Sequence, residues 1–535
     1  MAVDEMTFLF AEEWFQACLP LFEMLLEEAR LAADGEEVNE LRMESALNDI
    51  EKQCAHVTAL KQSQYAKQME NVRGAIADWK EAMDPVQMAA YTLLPFLLEL
   101  REEIYFWGCV APWKDRRQKY WKQEFPSHHR REKRKKGHKP LVSVFIPAKN
   151  QLSYTKCCVE SVLRHTKEVD YELLLLDHGS DDDTYAYFCS IPNAKVIRFR
   201  QNVRMLMFTT AFRACRGKYL AFVSNDTIVT AQWLQHLLAC MESESHILSA
   251  TPVTPFTSNC QAILPVPLEE LDGFAARFYR TRYKDWRQRA RMMPVIAVYD
   301  GEKLDEMGFA DRFFQTMEFW DDDVSLRARR RGYRQFLCTD VYCHHFGSVT
   351  GRSEWQSTLQ QGRELFFEKH GVDAWGKGFC RSEDMMQLLE QIHLPMQTVR
   401  LLAVDCGFGD SFFETANWLR RQGKEVLLYV LTEESAYREE LLAFAQGSYM
   451  AFDGTETALG TAFAGLAFDL ILTEHGGNCG NVLAGRLSEE GLVLAWDGML
   501  EPYLCKEASC GAWSLWKRGV SQSDAAWLRE ENKQQ

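Results

Sequence analysis

Asp177, Asp226, the triplet Asp321 to Asp323 and the adjacent His344 and His345 stand just beyond short apolar runs or at the head of an arginine-rich stretch. Carboxylates and imidazoles so placed can bind a hydroxyl, hold a cation or accept a proton. Asp226 follows KYLAFV and is flanked by Ser224, Asn225 and Thr227. A carboxylate at a strand end can hold Mg2+ or Mn2+ against a nucleoside diphosphate, with water and phosphate oxygens as further ligands. A second protein ligand is then expected, and His344 and His345, which follow the run TDVY, offer imidazoles. Their adjacency leaves open which one serves. In WDDDVSLRARRRGY, residues 320–333, three consecutive carboxylates open a helical pattern. Like charges side by side repel, and the cluster exceeds what helix capping needs. A carboxylate beside a cation-held diphosphate suits a general base that deprotonates an attacking hydroxyl. Asp177, after YELLLL, can hold a base or a ribose beside the turn formed by Pro147, Ala148 and Asn150. DHGSDDDT is equally a good N-cap sequence, and both readings stand.

The elements that must position these residues follow from the texture of the chain. LVSVFIPA, YELLLLD, AKVIRF and KYLAFV are short apolar runs bounded by turn residues, with helical patterns between them. Such alternation predicts buried parallel strands in an α/β sheet, and ligands of such sheets bind at the carboxyl ends of the strands. Residues 1–125 read differently: Ala, Leu, Glu, Lys and Met dominate, and apolar residues recur at three and four, as in Leu41, Ala46, Ile50 and Cys54. This predicts an all-helical domain for oligomerisation, acceptor docking or bracing. A basic linker, 126–140, follows. The expected α/β fold therefore has a central sheet domain over 141–390, preceded by the helical domain and followed by a second, smaller α/β domain over 397–520.

Composition narrows the function. A length of 535 residues suggests about three domains. With 47% hydrophobic and 26% charged residues the mix is that of a globular chain. The early apolar stretch FLFAEEWFQACLPLFEMLL carries Glu12 and Glu13 and has no basic start, so neither a signal peptide nor a spanning helix is expected. The sixteen cysteines show no CxxC spacing, which fits free thiols in a cytoplasmic protein better than a zinc site. A net charge of −15 argues against nucleic acid as a partner. The run HHRREKRKKGHK, 128–139, dissents locally; it suits a solvated linker, or else peripheral contact with an anionic membrane face or with a polyanionic acceptor.

These stations occur in the order and approximate spacing of the family 2 glycosyltransferases with the A-type fold, and the resemblance spans Val142 to about Gly371. SVFIPAKN resembles that family's first strand and nucleotide loop, and LLLLDHGSDDDT its second strand with the nucleotide-binding aspartate. GKYLAFVSNDTIVTAQWLQHLL resembles the strand bearing the metal motif, WDDDVSLRARRRGY the acidic motif with the catalytic base, and CHHFGS the metal-binding histidine. The resemblance implies a metal-dependent, inverting glycosyltransferase of hexosyltransferase type that takes a nucleotide sugar, uses Mn2+ or Mg2+, and glycosylates a glycan, a protein or a lipid-linked glycan. It implies that Pro147, Ala148, Asn150 and Asp177 line the donor pocket, with Asn225 standing where many members have another acid; Arg204, a departure from the family pattern, could favour the donor phosphates. Asp226 binds the metal together with His345, or with His344 as the rival. Asp321 is the base, and Asp323 orients the acceptor or the helix. Thr251 to Gln261 resembles an acceptor-side loop, so Asn259 and Gln261 are acceptor candidates. Trp320 departs from the glutamate that usually opens the acidic motif, and Val203 and Arg204 stand where a glycine is common.

LLAVDCGFGD, near the start of the last domain, is similar to the glycine-rich loop of methyltransferases that bind S-adenosylmethionine. Ala403 and Asp405 replace the usual acid and first glycine, and only Gly407 and Gly409 remain. Glu433 or Glu434 would have to serve as the ribose-binding acid. A degenerate Rossmann-like module is expected, with an active methyltransferase and a non-catalytic assembly protein as rival functions.

Overall fold

The computed structural model describes residues 5–122, 131, 138–315, 318–347, 355–376, 382–432, 435–437, 439, 463, 465–474, 480–496, 500 and 504–518. The chain divides into two compact units. The first comprises Met1–Trp286, Met293–Val324 and Phe336–Leu365, and the second Arg287–Met292, Ser325–Gln335 and Phe366–Gln535. These units cut across the boundaries expected from composition. The helical region and the large sheet fall together, and two short segments, 287–292 and 325–335, fall with the C-terminal residues.

The first unit opens with helices α1 (Glu5–Asp34), α2 (Glu40–Cys54), α3 (Tyr65–Glu81), α4 (Pro85–Met88), α5 (Leu94–Tyr105) and α6 (Lys114–Lys122). The sheet region follows as β1 (Val142–Ala148), α7 (Leu152–His165), β2 (Tyr171–Asp177), α8 (Thr184–Cys189), β3 (Lys195–Arg198), α9 (Leu206–Ala214), β4 (Tyr219–Val223) and β5 (Thr227–Ile228). Next come α10 (Trp233–Met241), β6 (Ile247–Val253), α11 (Leu271–Thr281), β7 (Trp286–Gln288), β8 (Ile296–Asp300), α12 (Gly301–Met307), α13 (Trp320–Arg330), β9 (Arg334–Tyr342), β10 (His344–His345) and α14 (Trp355–His370).

Eight strands form one sheet in the order β3-β2-β1-β4-β8-β6-β9-β7. The four apolar runs seen in the sequence are its parallel half, β3 to β4, and β8 then pairs antiparallel with both β4 and β6. Register aligns the ends: Ala148 lies opposite Asp177, and Asp177 opposite Arg198. At the other end of β1, Gly217 packs so closely that a Cβ there would lie 2.4 Å from the Ser143 nitrogen, so only glycine fits.

The helical region is joined to the sheet region by buried charge. Glu99 of α5 pairs with Arg213 of α9 and with Arg312, whose Nη2 is 3.2 Å away, and it accepts the Thr209 hydroxyl at 2.9 Å. Arg312 Nη1 also lies 3.2 Å from Glu103, which accepts the Gln64 amide at 2.7 Å. Burial works against both carboxylates; two guanidiniums hold Glu99 below the usual range, whereas Glu103, facing Arg312 alone, is pushed above it. Removing one partner of such a cluster leaves a buried charge uncompensated, so Arg312→Ala is expected to cost about 3–5 kcal/mol. Urea unfolding of the variant checks this, and a loss under about 1 kcal/mol would show that water reaches the cluster.

The second unit contains α15 (Ser382–Leu389), β11 (Thr398–Val404), α16 (Asp410–Arg421), β12 (Glu425–Leu431), β13 (Phe468–Thr473), α17 (Gly480–Arg486), β14 (Leu487–Trp496), β15 (Leu504–Cys510) and β16 (Trp513–Arg518). Its sheet runs β12-β11-β13-β14-β16-β15, parallel through β14 and antiparallel beyond. Glu433 and Glu434 lie outside the described residues, as does most of the 128–139 run. Within that run Arg131 is engaged internally: its guanidinium lies 2.9 Å from Asp305 and donates to the Gly217 carbonyl at 2.6 Å. All cysteines among the described residues are free thiols. Among those residues no helix is long and apolar enough to cross a membrane.

Candidate functional site

Asp226 ends the turn that follows β4, where the chain leaves the parallel half of the sheet. Ser224, just before it, is tied by its amide to the Val295 carbonyl at 2.8 Å. From there β5 pairs antiparallel with β10, His344 opposite Ile228 and His345 opposite Thr227, and the Phe346 amide donates to the Asp226 carbonyl at 3.0 Å. This two-residue ribbon brings together positions more than a hundred residues apart in sequence. Neighbouring residues of a strand point to opposite faces, so only one of the two histidines can face Asp226. It is His345, whose Nε2 lies 3.3 Å from Asp226 Oδ2.

The tautomer of His345 follows from its other nitrogen. Nδ1 lies 3.1 Å from the Pro255 carbonyl oxygen, which can only accept, so Nδ1 carries the hydrogen. In the neutral ring Nε2 then presents a lone pair to a carboxylate oxygen. Two acceptors at 3.3 Å repel unless a cation or a proton lies between them. Adjacent ligands of a six-coordinate Mg2+ lie about 3 Å apart, and a second hydrogen bond that aims a ligating imidazole is the usual accompaniment of a metal site. The pair therefore fits a divalent cation. Where a proton rather than a cation lies between them, burial acts to raise the Asp226 pKa, but the Nε2–H of His345 and the Ser224 hydroxyl, 2.6 Å from Oδ1, outweigh it and hold the carboxyl below its ordinary value. Among the described residues no group of three or more His, Cys, Asp or Glu converges, so Asp226 and His345 are the residues there that would hold a cation. His344 is buried apart from this pair; burial lowers its pKa, and its Nδ1 has no hydrogen-bond partner among the described residues.

Asp177 ends β2 and is buried. Its Oδ1 accepts the Ser180 amide at 3.1 Å, which closes a turn in the loop; the following helix α8 begins only at Thr184, with Asp183 at its N-cap position, so Asp177 does not cap it. Burial raises its pKa against the opposing pull of Ser180 and Arg198. Ala148 and Pro147 lie beside it on β1, and Asn150, in left-handed backbone at φ 58°, closes the same turn. The Asn150 amide donates to the Ser180 hydroxyl at 2.9 Å, and its side-chain oxygen accepts the Asp181 amide at 2.7 Å. Asn225 donates from Nδ2 to Thr155 at 2.9 Å, which fastens the turn before Asp226 to α7. Arg204 is exposed and left-handed, at φ 49°, in the loop before α9.

The acidic helix α13 is anchored by Trp320, which stacks on Phe208 at 4.8 Å and meets Phe309 edge-on at 5.6 Å. The residue that departs from the expected acidic motif is thus an aromatic wedge in the core. Asp322 and Asp323 are buried, at 6% and 0% exposure, while Asp321 is half-buried. Gln261 spends both amide atoms on the Met293 backbone, accepting its N–H at 2.8 Å and donating to its carbonyl at 2.9 Å. Asn259 Nδ2 in turn donates to Gln261 at 3.2 Å. These acceptor candidates hold the loop itself. Sequence reasoning missed Thr155, Ser180 and the Pro255 carbonyl; a backbone carbonyl carries no residue identity and leaves no signal to find.

Residues 143–291 match the family model described as Glycosyl transferase family 2. Curated relatives include an uncharacterized protein, y4gI, of Sinorhizobium fredii, 24% identical over 226 residues, which are 39% of this chain and 25% of that protein. Chondroitin synthase of Escherichia coli is 36% identical over 91 residues, 16% of this chain and 13% of the relative. An uncharacterized glycosyltransferase of Haemophilus influenzae is 27% identical over 113 residues, 20% of this chain and 35% of the relative. The chain thus spans about a third or less of these relatives' length. Among solved structures, a mannosyltransferase from Pyrobaculum calidifontis in complex with GDP-Man and Mn2+ gives a TM-score of 0.33 at 12% identity, covering 69% of this chain and 87% of that one. On the family model and the curated relatives, the central segment of this chain, residues 143–291, is similar to the family 2 glycosyltransferases.

Proposed function

We propose that the first unit transfers a sugar, with inversion, from a nucleotide-sugar donor to a hydroxyl of a glycan, a protein or a lipid-linked glycan. What carries this reading is the Asp226–His345 pair, with Nδ1 of the imidazole committed to Pro255 and Nε2 turned to the carboxylate. Asp226 and His345 would hold Mn2+ or Mg2+. When bound there, the cation neutralises the charge that gathers on the leaving diphosphate.

Around it, the chain's own residues divide the work. Asp177, Pro147, Ala148 and Asn150 bind the base and ribose at the ends of the first two strands. Asn225, fastened to Thr155, keeps the metal turn in place, and the exposed Arg204 offers its guanidinium to the phosphates. Asp321 accepts the proton of the attacking hydroxyl, which turns a poor nucleophile into an alkoxide-like one as the new bond forms. Asp323, fully buried, fixes the helix rather than the acceptor. Asn259 and Gln261 shape the acceptor side through the loop they brace.

A thermal-shift panel of nucleotide sugars with and without Mn2+ tests the proposal, because a ligand bound only by the folded state at a hundredfold excess over Kd adds about 2.7 kcal/mol of apparent stability. At least one donor is expected to raise Tm with Mn2+ and to lose that effect on chelation. Failure of every donor to shift Tm, together with no sugar transfer, would sink it.

A further inference from the structure

The glycine-rich loop of the second unit and the helix behind it are occupied by arginines of the chain itself. Asp410, Glu414 and Asn417 of α16 lie at i, i+4 and i+7, on one face. Asp410 Oδ2 accepts Arg291 Nε at 3.0 Å, Glu414 pairs with Arg289, and Asn417 Nδ2 donates to the Gln288 carbonyl at 2.8 Å. Arg329, in the last turn of α13, donates to the Phe408 carbonyl of the loop at 2.7 Å, and its guanidinium lies 4.6 Å from the Phe408 ring. Arg329 is 1% exposed and Asp410 likewise. A Cβ at Gly409, where φ is 93°, would stand 3.6 Å from Arg329 Nη2. A glycine loop at a helix N-terminus ordinarily offers its backbone to a nucleotide or another anion. Here a carboxylate opens the helix and guanidiniums lie on the loop and the helix face.

We propose that this loop and helix form a clamp rather than a cofactor site, with Arg329 as a positioning residue for sugar transfer. The clamp takes no S-adenosylmethionine. α13 is one continuous helix, Trp320–Arg330, with Asp321 to Asp323 in its first turn, and its residues from Ser325 on belong to the second unit. Holding Arg329 fixes the axis and rotation of the helix that bears the proposed base. This second step rests on the sugar-transfer reading; the clamp itself does not.

The test uses the full chain with Arg329→Met, Arg329→Lys and Glu414→Gln, the last two guarding against a misfolded first variant. Hydrogen exchange of 287–292 and 325–335 is expected to quicken at least tenfold in Arg329→Met and Glu414→Gln, and unchanged exchange would overturn the clamp. Calorimetric titration of wild type with S-adenosylmethionine is expected to give no binding heat; stoichiometric binding would overturn the clamp as well. In sugar transfer, Arg329→Met should lower kcat about 10- to 100-fold with donor KM within twofold, and Arg329→Lys should recover part of it. A folded Arg329→Met enzyme with unchanged kcat would overturn the positioning role. Should wild type transfer no sugar from any donor, the proposed function fails, while the exchange and titration results still decide the clamp.

Discussion

Asp226→Asn is expected to lower sugar transfer on the order of 10³-fold, a loss of about 4 kcal/mol in transition-state stabilisation, and to abolish the Mn2+-dependent rise in Tm caused by a donor. The substitution is nearly isosteric. Asparagine can still accept the Ser224 hydroxyl, and the backbone bond from Phe346 to position 226 does not involve the side chain, so the β5–β10 ribbon should persist. What disappears is the negative charge that His345 faces. Because His345 and Ser224 overcome burial and keep the Asp226 carboxyl below its ordinary pKa, the group is ionised throughout the neutral range. Any loss of activity between pH 6 and 8 should therefore have another origin. Turnover of nucleotide sugar by the purified variant, with circular dichroism to verify folding, decides the matter. Activity within tenfold of wild type would remove Asp226 from the metal role.

The parts of this molecule that were legible in the sequence are those where burial alone selects the residues. LVSVFIPA, YELLLLD, AKVIRF and KYLAFV are apolar because both faces of a parallel strand are covered, and they became β1 to β4 almost residue for residue. The helical texture of the first 125 residues was legible for the same reason. The ribbon of β5 and β10 was not, since a two-residue strand has no periodicity to detect. It nevertheless decides which histidine meets Asp226. The compact units were also hidden. They depend on which of many arginines is buried against which carboxylate: Arg312 with Glu99 and Glu103 in one unit, Arg289 and Arg291 with Glu414 and Asp410 in the other. Buried and solvated arginines look alike in a sequence. Trp320 is a third instance. Seen alone it reads as a departure from an acidic motif, whereas its stacking on Phe208 supplies a packing reason that only the fold contains.

The three carboxylates of α13 illustrate how burial divides like residues into unlike roles, and their separation yields a sharp expectation. Asp321→Asn should lower kcat by about 10²- to 10⁴-fold, the usual range for a lost general base, with donor KM and the Mn2+-dependent Tm shift unchanged. Asparagine keeps the shape of the side chain and cannot take the proton, so the defect should lie in the chemical step alone. Asp323→Asn should behave in the opposite way. That carboxylate is wholly buried at the first turn of the helix, so its loss should appear in the unfolding midpoint before it appears in turnover. Only Asp321 of the three retains exposure through which an acceptor hydroxyl could approach. Steady-state kinetics on both variants, run beside thermal unfolding, separate the two roles. If Asp321→Asn kept its kcat while Asp323→Asn lost it, the base would have to be assigned to a group buried from the acceptor, and direct proton transfer along this helix would be untenable.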